Sequence, residues 1–273
     1  MILNKIKSAI SIKLTYKLEK FSDLHKGESC YIFGSGPSIK WFDLTCFKNL
    51  PCICCGMLPF HKDFNKLDVR YCSLIEPWLF VPSLLQPDLK SLSEYKVIAE
   101  AYKTIIKTNP DKEFFVHLSN CFSLKGKNIN YVFRGLPKIR NRTDALLSQF
   151  NLFSGSFHAS LALAYHLGFS KVFLLGFDAW TIQPSRNLHW YELGKGVFFE
   201  PATLAAEFLE ILKSKVDINT ITISDDDFSR NVTAISYKTY TGKSPEFKEN
   251  YELLDKRYLN ILASYPGYKI YAK

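Results

Sequence analysis

Residues 30–38 read Cys-Tyr-Ile-Phe-Gly-Ser-Gly-Pro-Ser, and this stretch narrows the choice of fold more than any other. Four apolar residues in succession form a short strand buried on both faces. Gly34 and Gly36 then bracket Ser35, and Pro37 suits the first position of a helix. A strand, a glycine turn and a helix start in immediate succession open a doubly wound α/β sheet. Backbone amides in such a turn, with the helix start at Ser38, can cradle a phosphate. The turn is not a dinucleotide fingerprint, because the third glycine is absent and Pro37 interrupts it. It is not a P-loop either, because Gly-Lys-Ser/Thr is missing. A tight turn with no ligand remains open at this point.

The rest of the chain repeats the α/β pattern. Residues 51–55 and 69–75 read as buried strands, the second ending at Glu76 and Pro77. Residues 91–108 read as a helix and 114–118 as a strand. Residues 119–150 are weakly patterned and rich in Asn, Lys and Arg, which suits an insertion or lid; residues 180–200 are a second candidate lid. The clearest unit is 151–178: a Ser154-Gly155-Ser156 start, a helix over 157–167 stopped by Gly168, and the strand Lys-Val-Phe-Leu-Leu running into Gly176-Phe177-Asp178. Residues 202–213 read as a helix, 220–223 as a strand and 244–264 as a helical tail.

Composition then removes whole classes. The chain has 273 residues, 47% of them hydrophobic, enough for a sizeable core in a folded domain. No apolar run approaches the roughly 20 residues that span a bilayer, and no export signal is evident. The seven cysteines, Cys30, Cys46, Cys52, Cys54, Cys55, Cys72 and Cys121, show no zinc spacing and read as reduced, mostly buried thiols of a cytoplasmic protein. The net charge of +9 suits a phosphorylated substrate or an anionic surface; without a zinc finger, RNA-recognition motif or arginine cluster, nucleic acid is not expected. Residues 1–24 read as a basic amphipathic helix, with Ile2, Leu3, Ile6, Ile10 and Leu14 on one side and lysines between. This is either a peripheral anchor on the inner face of the membrane or a helix packed on the domain.

Several positions fall where chemistry is placed in such folds. Residues just past strand ends line the ligand crevice, which brings Gly34, Ser35, Glu76 and Asp178 to one edge. Ser154, Gly155 and Ser156 form either a second anion-binding helix start or an ordinary cap. His189, in Arg186-Asn187-Leu188-His189-Trp190-Tyr191-Glu192, is a candidate general base, and Tyr191 a candidate donor to a leaving phosphate. The alternative is a surface or packing histidine; His158 and His166 read as structural. Asp225, Asp226 and Asp227 read as a solvated loop rather than a cation site.

Taken together, Gly34 to Ile39, Ser154-Gly155, Gly168 to Val172 and Gly176-Phe177-Asp178 resemble the motifs of the family 42 bacterial sialyltransferases. The resemblance covers about residues 30–80 and 150–212. It implies an inverting, metal-independent glycosyltransferase that needs no cofactor, takes a CMP-linked sugar and uses a histidine base. Carried over, Gly34, Ser35, Gly36, Pro37, Ser38, Gly56, Glu76, Ser154, Gly155, Ser156, Asp178 and Trp180 would hold the nucleotide and donor. Ser35, Gly56 and Glu76 stand where that family has asparagine, and Trp180 where it has a phosphate-contacting tyrosine. The same turn also resembles the pterin pyrophosphokinase-like proteins, which implies diphosphate transfer, and the lost asparagines suit a catalytically degenerate scaffold of polysaccharide synthesis.

The expectation is therefore a single Rossmann-like α/β domain over 25–273, a mainly parallel sheet with helices on both faces. Its expected partners are a nucleotide sugar and a glycan or lipid-linked acceptor, with a homo-oligomer left open.

Overall fold

The computed structural model describes residues 16–77, 79–81, 92–132, 155–199, 209 and 212–263. Eight strands form one parallel sheet: β1 (Ser29–Phe33), β2 (Cys52–Cys55), β3 (Val69–Leu74), β4 (Glu113–His117), β5 (Ile129–Val132), β6 (Lys171–Leu175), β9 (Asp217–Thr222) and β10 (Thr233–Ser236). Their spatial order is β10-β9-β6-β1-β2-β3-β4-β5. The chain starts at β1, builds outward through β5, then crosses back to place β6 on the other side of β1. That reversal is the topological switch point, beyond whose strand ends a ligand crevice opens. A separate antiparallel pair, β7 (Ser185–Asn187) and β8 (Val197–Phe199), lies just after β6 in the chain.

Both faces of the sheet are covered, so side chains alternate between two cores. Tyr31, Phe33, Cys52, Cys54 and Leu74 point into one, with Tyr102, Trp190 and Tyr258. Cys30, Ile32, Ile53, Cys55 and Leu174 point into the other. Helix α1 (Leu92–Thr108) contributes Ile98, Tyr102 and Ile105 to the first core, alongside α6 (Lys256–Ala263). Helix α2 (Gly155–His166) serves the second core and is buried from Phe157 to Ala164. A helix that is apolar all round must be enclosed, and this one is.

The expected strands and α2 fall within three residues of their predicted bounds. The differences have local causes. Four strands escaped the sequence reading: β5 is four residues long and carries a buried Asn130 held by Glu113 at 2.7 Å; β7, β8 and β10 are three or four residues each and largely polar or exposed. After the short helix α4 (Tyr237–Thr241), the described part of the 244–264 tail holds two helices, α5 (Asn250–Leu253) and α6. It breaks because Leu253 and Asp255 bond instead to Lys62 and Phe60 of a neighbouring turn. Residues 16–24 are not part of a long helix: Tyr16–Phe21 is a 3₁₀ turn whose Leu18 and Phe21 are buried in the second core. The rest of that predicted helix, residues 133–150 and most of 202–213 lie outside the described residues. All seven cysteines are free thiols. Among the described residues no helix is long and apolar enough to cross a membrane.

The turn after β1 continues the β1–β6 ladder beyond its end. Gly34 N donates to Leu175 O at 2.7 Å and Gly36 N to Gly176 O at 2.6 Å. A Cβ at Gly34 would lie 2.4 Å from Gly176 O; one at Gly36 would lie 2.0 Å from Asp178 Oδ2 and 2.7 Å from Gly176 O. These glycines therefore permit backbone-to-backbone contact. Gly36→Ala is expected to destabilise the domain by about 2–4 kcal/mol, lowering the melting temperature by about 5–10 °C in a calorimetric scan.

Candidate functional site

The strand ends place the predicted residues along one edge, yet two of the expected anion sites already hold a carboxylate of the chain. Asp178 begins the short helix α3 (Asp178–Thr181) just past β6. Its Oδ1 and Oδ2 accept Ser38 N at 3.2 and 3.3 Å, and Oδ2 also accepts Ser38 Oγ at 3.0 Å. With Gly34 and Gly36 amides bonded to β6, the turn expected to offer these three amides to a phosphate has given all of them to the protein. Pro37 does start a helical turn, Pro37–Trp41, as its fixed φ favours. The second helix start behaves alike: Ser156 Oγ donates to Glu76 Oε1 at 3.3 Å. Gly155 is exposed, and Ser154 lies outside the described residues.

Above these contacts lies a cleft of about 490 Å³. Ser35, Gly36, Pro37, Gly56, Glu76, Ser156, Asp178, Trp180, His189 and Tyr191 all line it. Gly34 and Ser38 sit behind its floor, Ser38 buried against Asp178. Part of its lining is apolar, from Met57, Leu79, Ile98 and the ring of Tyr102. Another part is polar, from Arg186, Asn187, His189 and Tyr191. Trp180 presents an indole stacked on Phe157, with centroids 5.2 Å apart. The three aspartates 225–227 diverge: Asp227 Oδ2 accepts Ile223 and Ser224 amides, and Asp225 Oδ1 accepts Thr239 Oγ1. Among the described residues no group of three His, Cys, Asp or Glu side chains is placed to hold a metal.

The His189 loop is pinned from three sides. Trp190 is fully buried, and its amide donates to Ser35 O at 3.0 Å, joining the loop to the β1 turn. Asn250 Nδ2 donates to Tyr191 O at 2.9 Å. Lys40, wholly buried, donates from Nζ to Glu192 O, Gly194 O and Glu249 Oε2. Burial lowers the Lys40 pKa, with Glu249 opposing. Within this frame His189 is half-exposed, its ring stacked on Tyr191 at 4.9 Å and its Nδ1 2.9 Å from Glu192 Oε2. A carboxylate on one imidazole nitrogen fixes the tautomer and leaves the other nitrogen as a base. The roles of Lys40, Glu192 and Arg186 carried no signal in the sequence, since each depends on a partner brought near by folding. Arg186 is the one Lys or Arg lining the cleft among the described residues; its guanidinium lies 4.0 Å from the Phe198 ring centroid and 5.4 Å from that of Trp41.

The floor is shaped by two acids in poor solvent. Burial pushes Asp178 up to about 6, against the opposing bonds from Ser38. Burial also raises Glu76, with Ser156 opposing.

No protein-family model and no curated relative matches the sequence. Solved structures similar to the chain include three structures of sialyltransferases from Campylobacter jejuni. An α-2,3-sialyltransferase in apo form is 16% identical, with a TM-score of 0.42 over 82% of this chain and 86% of that one. CstII in complex with cytidine-5′-monophosphate is 14% identical, with a TM-score of 0.42 over 87% and 98%. The monofunctional α-2,3-sialyltransferase Cst-I is 15% identical, with a TM-score of 0.41 over 87% and 94%.

The Asp178 shift has a definite sign. Its carboxyl titrates near 3.8 when unfolded and near 6 when folded, so the folded state binds the proton more tightly. This group's contribution is therefore most favourable below about pH 4 and declines by about 3 kcal/mol as pH rises past 6. Asp178→Asn, which keeps an acceptor for Ser38 N, is expected to remove that decline in urea unfolding curves taken between pH 4 and 7.

Proposed function

We propose that this chain is a glycosyltransferase that takes its sugar from a nucleotide, CMP being the first candidate, and passes it to a glycan or lipid-linked acceptor. The observation that carries this reading is the lining of the cleft: a histidine oriented by Glu192, a tyrosine and an arginine share it with apolar side chains at the strand ends of the switch point. The sequence motifs around Gly34 and Asp178 support the same reading.

Each residue then has a role its surroundings suit. The base packs against Met57, Leu79, Ile98 and Tyr102. The phosphate lies toward Arg186, which carries the compensating charge, rather than against the β1 turn. His189 takes the proton of the acceptor hydroxyl as that oxygen bonds to the anomeric carbon. The bond from that carbon to the phosphate oxygen breaks, and the nucleoside monophosphate leaves with the electron pair. Arg186 and the Tyr191 hydroxyl stabilise the charge on the departing phosphate. Attack opposite the leaving group inverts the anomeric centre, and no metal is needed where a fixed cation meets the phosphate. The net charge of +9 favours an anionic or lipid-linked acceptor at a membrane surface.

CMP at a hundredfold excess over its dissociation constant is expected to raise the melting temperature by about 5 °C or more. If no nucleoside monophosphate does so, the reading fails. Two variants then separate the roles. His189→Ala is expected to keep CMP binding but lose about 10²–10⁴-fold in CMP release from a CMP-sugar in the presence of acceptor. Arg186→Ala is expected to weaken CMP by about tenfold or more in titration calorimetry while leaving cytidine unaffected.

A further inference from the structure

We infer that Glu76 reads the sugar ring of the nucleotide, accepting the two adjacent hydroxyls of a ribose and so making the site selective for ribonucleotides over deoxyribonucleotides. This rests on the nucleotide-sugar reading of the cleft.

The argument starts from how the two floor acids differ. Asp178 is 3% exposed and takes three hydrogen bonds from Ser38, so its acceptor capacity is largely used within the protein. Glu76 is only partly buried and takes the Ser156 hydroxyl on Oε1 together with its own amide. A carboxylate offers about four acceptor sites, so Glu76 keeps room for two donors. A ribose diol presents two donors side by side, whereas a phosphate presents none and would be repelled.

Position along the cleft points the same way. Ser35, Gly56 and Glu76 follow the ends of β1, β2 and β3, which are adjacent in the sheet. Gly56 has no side chain to stand over its strand end, and a Cβ there would lie 2.2 Å from Ser35 Oγ. The Ser35 hydroxyl therefore takes the space over Gly56 in the cleft. Met57, Leu79, Ile98 and Tyr102 line the same cleft as Glu76 and suit a base. In the inferred pose the phosphate lies at Arg186, the base packs on those apolar side chains and the sugar ring lies beside Glu76. Burial makes this carboxylate hold its proton more readily than usual, and two hydroxyl donors would restore part of the solvation it lacks.

The test is titration calorimetry at neutral pH with ribo- and 2′-deoxyribonucleoside 5′-monophosphates of cytosine, uracil, adenine and guanine. The ribonucleotide of the base that binds is expected to be favoured by about 10- to 100-fold over its deoxy form. Glu76→Gln and Glu76→Asp, each checked for an unchanged melting profile, are expected to cut that preference by most of its size. Equal affinity of the ribo and deoxy forms for the unaltered protein would overturn the inference while leaving the nucleotide reading in place. So would a preference undiminished in whichever variant folds. Failure of every nucleotide to bind would instead overturn the reading on which the inference rests.

Discussion

The turn after β1 lies so close to the end of β6 that side chains at positions 34 and 36 would collide with backbone and with Asp178. Two amide bonds and the Ser38–Asp178 contacts close that seam. Much of the cleft is built on it. It sets the spacing of strand ends at the switch point, fixes where Ser35 presents its carbonyl, and through that carbonyl receives Trp190 and the loop bearing His189. The floor of the cleft and the loop bearing His189 are thus joined through one tight contact between two parallel strands.

The seam also changes what the glycine motif means. Glycines and a helix start after a first strand are read as a phosphate cradle because their amides point outward. Here the amides of Gly34 and Gly36 are held by the end of β6 and that of Ser38 by Asp178, while at the second helix start the Ser156 hydroxyl bonds Glu76. A floor with two carboxylates favours hydroxyls, and in the proposed reading the positive charge that meets the phosphate is that of Arg186. Glycine at 34 and 36 serves close packing.

The strands β1 and β6 were legible almost to the residue, because each is a short apolar run stopped by glycine. Since strands fix their own ends, the residues just past them were legible as cleft-lining too, and Ser35, Gly56, Glu76 and Asp178 meet at one edge. What the sequence hides is pairing over distance. Ser38 and Asp178 are 140 residues apart, Ser156 and Glu76 are 80, and Lys40 reaches Glu192 across 152. No local pattern reports such contacts, yet they decide whether a donor faces a ligand or the protein itself. The short strands β7, β8 and β10 were hidden for a different reason: three or four polar or exposed residues carry too little periodicity to register.

The central claim is that a nucleotide lies across the switch point with its phosphate at the Arg186 and His189 wall and its base against Met57, Leu79 and Ile98. A crystal structure of the protein grown with CMP tests it most directly. The account predicts a phosphate oxygen within about 3.2 Å of the Arg186 guanidinium, with the β1-turn amides still bonded to β6 and Asp178. A phosphate found in the turn itself, displacing Asp178 from Ser38, would contradict it.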